Sequence, residues 1–219
     1  MLPQALKPVC FIIGYFGSGK SEFCVNLAIN KKVNYLCDLD VINPYFRSRQ
    51  AIDFLLEHHI ETLSSIEKEA KYLDMPLISE YIFKAYEDLN ASMIVDLGGY
   101  DQGAKVIRQF EQCPTRPYEL LAVINVYRPD SSTPESIIKV INKMEAASGL
   151  KVTGLVNNTN LLNATTESDI LHGENIIAAV AKIINIPIKF TCINKYTKTT
   201  KTFAGENITL QMYLENKTV

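Results

Sequence analysis

Val9-Cys10-Phe11-Ile12-Ile13-Gly14-Tyr15-Phe16-Gly17-Ser18-Gly19-Lys20-Ser21 is the stretch that decides the fold. The run 9–13 is continuously apolar and stops at Gly14, as a strand buried on both faces does. A helical pattern follows from Lys20 to about residue 30. Between them, G-x-x-x-x-G-K-[ST] is met at every fixed position. Gly14, Gly17 and Gly19 let the backbone curl until successive N–H groups, Ser18 among them, converge on phosphate oxygens. The helix N-terminus, with Glu22 in its first turn, sets its dipole behind the same anion. Lys20 brings positive charge to the β- and γ-phosphates, and Ser21 offers a hydroxyl to Mg²⁺. The loop is read as the binding site of a nucleoside tri- or diphosphate.

Two further strand ends belong beside it. Ser92-Met93-Ile94-Val95-Asp96-Leu97-Gly98-Gly99 is an apolar strand ending in Asp, with Gly three residues on. Asp96 is placed to hold Mg²⁺ through water. Gly99 is placed to turn its N–H toward a γ-phosphate and release it after hydrolysis. Asp38-Leu39-Asp40 ends the second strand. Its two carboxylates share a face if the strand runs through them, which is costly without a cation. Asp40 is assigned to position or activate water and Asp38 to the Mg²⁺ water shell, with the roles exchangeable.

Around these motifs, strands are expected at 33–39, 118–126, 152–156 and 187–193, and helices at 47–58, 79–89 and 101–112. Thr133-Pro134 and Thr166-x-x-Asp169 begin two more helices with capping signals. Alternation of strand and helix predicts an α/β fold of βαβ units around a parallel sheet. One nucleotide-binding domain over 1–219 is expected, with 193–219 an extension that the pattern does not place; residues 60–80 are the least legible. The 219 residues are 47% hydrophobic and 21% charged, with a net charge of -2 and a mean hydropathy of +0.02. This excludes fibrous, disordered and membrane-spanning classes and argues against a nucleic-acid or membrane partner. Five scattered cysteines without C-x-x-C read as reduced core thiols, so a cytoplasmic location is expected.

The P-loop, the D-x-D and the D-x-x-G together resemble the MinD/ParA/CobQ-like branch of SIMIBI-class P-loop NTPases. The strings Asp38–Arg49, Asp96–Gly99 and Gly154–Leu161 look like an ATP-binding bacterial subgroup of it. The resemblance implies a three-layer αβα P-loop NTPase fold with a mostly parallel sheet, ATP/ADP and Mg²⁺ as ligands, and slow hydrolysis. MinD and ParA proteins carry a second lysine after the first P-loop glycine, which reaches across a nucleotide-sandwich dimer; this chain has Tyr15 there. A monomer or a homodimer remains open, and Arg47 or Arg49 is the substitute cation considered. Leu210–Val219 is short and nearly neutral, unlike the basic amphipathic membrane anchor of MinD, so no membrane attachment is expected.

Base choice is read at Asn157-Asn158-Thr159-Asn160, where GTPases of the superfamily carry a guanine-reading Asp. An amide suits the adenine edge, and ATP is favoured over GTP. By position Asn157 is preferred as reader and Asn158 is the alternative. The expected function is an ATPase switch whose loops at 40–49 and 98–104, aromatic at Tyr45, Phe46 and Tyr100, are read by a protein partner. The alternative is a small-molecule kinase or ligase resembling dethiobiotin synthetase or the cobyrinate amidases, with Arg47, Arg49, Lys105 and Arg108 as anchoring cations. A GTPase metallochaperone is weaker, since the chain lacks Cys or His ligands near the switches.

Overall fold

Alternating apolar runs and capped helices produce eight strands and six α-helices among residues 6–40, 52–64, 78–113 and 115–213, which this computed structural model describes. In chain order they are β1 (Val9–Gly14), α1 (Lys20–Lys31), β2 (Tyr35–Leu39), α2 (Ile52–Glu57), β3 (Glu61–Ser64), α3 (Glu80–Glu87), β4 (Met93–Leu97) and α4 (Tyr100–Lys105). Then follow β5 (Tyr118–Ile124), α5 (Pro134–Ser148), β6 (Gly154–Asn157), α6 (Glu167–Ile184), β7 (Ile188–Asn194) and β8 (Glu206–Leu210). The strands form one sheet in the order β3-β2-β4-β1-β5-β6-β7-β8, parallel at every pairing.

The period of two along each strand sorts side chains between two cores. Phe11, Cys37, Leu39, Val95, Ala122 and Leu155 face one core, with the apolar stripes of α5 and α6. Ile12, Leu36, Ile94, Val123, Val156, Cys192 and Leu210 face the other, covered by Phe23, Cys24 and Leu27 of α1. Helices therefore lie on both sides of the sheet. This sandwich is the three-layer arrangement expected.

Local chemistry fixes the helix starts. Thr133 and Thr166 cap α5 and α6 through reciprocal boxes with Ser136 and Asp169, and Pro134 stands in the first turn of α5. The helix expected at 101–112 instead splits into α4 and a 3₁₀ segment, Val106–Gln112. The buried β-branched pair Val106-Ile107 falls at the change of pitch, where χ1 crowding disfavours an α-helix. The strand expected at 187–193, β7, is an interior one and does not close the sheet: β8 pairs alongside it, with Ile208 and Leu210 in the α1 core. Four of the cysteines are buried thiols, Cys113 is half-buried, and all five are free. No helix among the described residues is long and apolar enough to cross a membrane.

Candidate functional site

The carboxyl ends of the strands, on the α1 side of the sheet, open into a cleft of about 330 Å³. The loop between β1 and α1 forms its floor. Gly19 takes φ +83, a conformation that favours glycine. A Cβ on Gly14 would stand 2.5 Å from the Val123 carbonyl oxygen, so only glycine lets β1 turn against β5. Lys20 is nearly buried and its Nζ donates to the Tyr15 carbonyl at 3.3 Å, spanning the loop.

Strand parity brings the acids to Lys20 and Ser21. Asp38 follows Leu36, and Asp96 follows Ile94, both by two residues and both on the α1 face. Asp38 and Asp96 are register partners across β2 and β4. Asp38 accepts the Asp40 N–H at 3.1 Å, which steers Asp40 into the cleft lining. Its carboxylate packs on Gly98, 2.8 Å from where a Cβ would be. Gly99 lies against Phe16 of the loop, and Phe16 is exposed at the cleft's rim.

Asp96 is 1% exposed, and neither carboxylate oxygen makes a well-formed hydrogen bond among the described residues; the Ser21 hydroxyl and the Cys24 thiol interact with it only weakly. Burial pushes its carboxyl up to about 7, opposed by the Lys20 ammonium and the adjacent Ser21 hydroxyl, while Asp40 adds a further upward push. A buried carboxylate with unused lone pairs beside a hydroxyl is a donor set that suits a hard divalent cation holding its own waters. Among the described residues no three His, Cys, Asp or Glu form a protein-only cage, and Mg²⁺ does not need one.

The other half of the cleft is lined by Asn158, Asn160, Leu162, Thr165, Cys192, Asn194, Leu210 and Met212. The Asn158 amide donates to the Ser18 carbonyl at 2.7 Å and leaves its Oδ1 buried without a partner. Asn157 is elsewhere. It shares the parity of Leu155, faces α6, donates to the Ile170 carbonyl at 3.0 Å and accepts the Thr159 N–H at 3.1 Å. With both ends of its amide engaged and no exposure, it does not line the cleft; the preferred base reader by position is thus placed in the core and the alternative in the site.

Glu22 lines the cleft but also binds the chain after β8. Its Oε1 accepts the Tyr213 N–H at 2.6 Å, while Asn26 exchanges hydrogen bonds with the Gln211 backbone at 2.8 and 2.9 Å. Of the anchoring cations considered, Lys105 does not line the cleft, and Arg108 donates to the Ala146 and Ala147 carbonyls at the end of α5. Arg47, Arg49 and the loop 41–49 lie outside the described residues. The motif reading missed Arg128, whose Nε donates to the Gly17 carbonyl at 2.9 Å, and the wall supplied by Leu210 and Met212. An isolated arginine after β5 carries no motif.

No protein-family model matches the chain, and a search of curated proteins finds no relative. Solved structures do match. The cell division protein FtsY of Thermotoga maritima superposes with a TM-score of 0.54 at 18% identity, over 88% of this chain and 65% of that one. The signal recognition particle receptor FtsY of Elizabethkingia anophelis gives 0.57 at 16% identity, over 84% and 57%; the same receptor in complex with GDP gives 0.53 at 13%, over 88% and 59%. The chain has the P-loop NTPase fold. It spans between 57% and 65% of the length of these structures, and at such identities the likeness is one of architecture.

Proposed function

We propose that this protein is a Mg²⁺-dependent ATP-binding switch with slow ATPase activity, in the SIMIBI class and on the MinD/ParA-like side of it. The observation that carries the reading is a set of orphaned buried polar atoms at the P-loop and the carboxyl ends of the strands: Ser18 Oγ, both Asp96 oxygens and Asn158 Oδ1, the last on a residue that lines the cleft. Buried polar atoms without partners cost about 1–3 kcal/mol each, and a nucleotide with its cation satisfies all of them together.

In this reading the loop amides and Lys20 hold the phosphates, with Lys20 leaving the Tyr15 carbonyl for them. Ser21, Asp96 and Asp38 hold Mg²⁺, which neutralises phosphate charge when bound. Asp40, on the cleft wall, orients the attacking water. Gly99 touches the loop at Phe16, so contact with a γ-phosphate moves the segment 98–104, and a protein partner reads that change. The base lies between Leu162 and Met212, where the open Asn158 carbonyl accepts from the adenine amine. With Tyr15 in the place of a cross-dimer lysine, ATP- and ADP-bound protein have the same size. A cytoplasmic location and a single domain over 1–219 complete the proposal.

Equilibrium binding of ATP and GTP, each with and without Mg²⁺, tests it. Tighter binding of MgATP supports the adenine assignment. Preference for GTP, the base found as GDP in the Elizabethkingia receptor, would overturn that assignment and keep the switch. Binding of neither would remove the nucleotide reading.

A further inference from the structure

The cleft has a second cation that the P-loop motif does not include. Among its lining residues Lys20 and Arg128 are the positive charges, and Glu22 and Asp40 are the negative ones. Arg128 comes from the turn between β5 and α5. Its side chain packs on Gly17, with Nε 3.2 Å and Cζ 3.3 Å from where a Cβ would stand. Nε donates to the Gly17 carbonyl, and no carboxylate among the described residues forms an ion pair with the guanidinium. The residue is exposed, so its terminal nitrogens keep their donors for another acceptor.

The turn that presents it is built rather than loose. Asn125, 2% exposed, accepts the Tyr127 N–H on its side chain and the Arg128 N–H on its carbonyl. Buried Ser131 donates to that same carbonyl at 2.7 Å, and its N–H donates to the Arg128 carbonyl at 3.0 Å. The Asn125 amide also donates to the Asn160 carbonyl at 3.2 Å, which ties the Arg128 turn to the base half of the cleft. A guanidinium held by its Nε over a phosphate-binding loop, with its fork unspent, is arranged for a phosphate oxygen rather than for a neighbour in the protein.

We infer that Arg128 is a phosphate-binding residue of this site, a second cation that closes over the triphosphate chain from the β5–α5 turn. The inference rests on the nucleotide reading above and adds to it a residue outside the motif. Nε keeps the Gly17 carbonyl while the terminal nitrogens bond the phosphate.

The test compares the parent with Arg128→Gln and Arg128→Lys. Binding is measured for whichever of ATP or GTP the parent prefers, and for the corresponding nucleoside, at low and high salt. Glutamine retains a donor for the Gly17 carbonyl but no charge. The expected result is a loss of about tenfold or more in triphosphate affinity for Arg128→Gln at low salt, narrowing at high salt as screening weakens the parent's charge contact. Nucleoside affinity stays unchanged, and lysine restores a large part of the loss. Equal triphosphate binding by Arg128→Gln and parent would reduce Arg128 to a latch on Gly17 and overturn the inference alone. Equal losses for triphosphate and nucleoside would also overturn it, by showing damage to the cleft instead of loss of a phosphate contact. A parent that binds neither triphosphate overturns the nucleotide reading and this inference together.

Discussion

The two ends of the same sheet treat buried charge in opposite ways. At the amino ends of the strands, Glu119 is 2% exposed and receives Lys189 Nζ at 2.5 Å and the Thr153 hydroxyl at 2.5 Å. Arg116 there is 3% exposed, donates to the Tyr86 and Ala91 carbonyls at 2.6 Å each, and lies over the Tyr86 ring. At the carboxyl ends Asp96 is buried as deeply with neither oxygen in a well-formed hydrogen bond, and Ser18 Oγ and Asn158 Oδ1 are orphaned close by. Burial is equal and satisfaction is not. The amino end is finished by the chain itself, whereas the carboxyl end leaves polar atoms unsatisfied on the side where open α/β sheets take their ligands.

This contrast can be broken at either end. Glu119→Ala strands Lys189, and is expected to cost about 3–5 kcal/mol in denaturant unfolding, as loss of one partner of a buried pair does. A cost below 1 kcal/mol would mean that the amino end is not held by this pair. Lys20→Ala is expected to lower triphosphate affinity at least about a hundredfold, roughly 2.7 kcal/mol, with an unchanged unfolding midpoint. Retained affinity would refute the P-loop assignment.

Asp96 gives the pH dependence. Its carboxyl sits at about 7 in the fold against an ordinary value of 3.8. The folded state therefore binds more protons than the unfolded chain between those values. Stability of the ligand-free protein falls as pH rises through this window and levels off above it. Asp96→Asn should flatten that slope and raise the midpoint at pH 8 by several degrees, while weakening Mg²⁺-dependent nucleotide binding; a lower midpoint in the variant would show that Asp96 is satisfied in the fold. Asp40→Ala is the mildest: MgATP stays bound and hydrolysis slows by at least about tenfold, near 1.4 kcal/mol, in a steady-state assay. Equal turnover would take Asp40 out of the chemistry.

The half of the cleft proposed to take phosphate was legible because its information is local. The P-loop spacing fixes Lys20 and Ser21 at the start of α1, and strand alternation sends Asp38 and Asp96 to one face. The base half was not. Asn157 and Asn158 differ by one position in a strand whose end is uncertain by that much, and one step exchanges the α6 face for the cleft. β8 follows a polar stretch, residues 195–205, and only pairing with β7 and packing on α1 identify it. Arg128 depends on the Asn125 turn, which tertiary hydrogen bonds define. Of residues 60–80, the least legible stretch in the sequence, 65–77 lie outside the described residues.

The hydrogen bonds that fasten Gln211 and Tyr213 to α1 join residues 185 and 191 positions apart, so the wall of the cleft is supplied by residues synthesised long after its floor. Contacts of such separation carry a high loop-closure cost and form late. The loop after β1 is therefore exposed during folding until β8 docks and brings Leu210 and Met212 to the cleft. On the nucleotide reading proposed above, tight capture, and the stability that a bound ligand adds, wait for that docking.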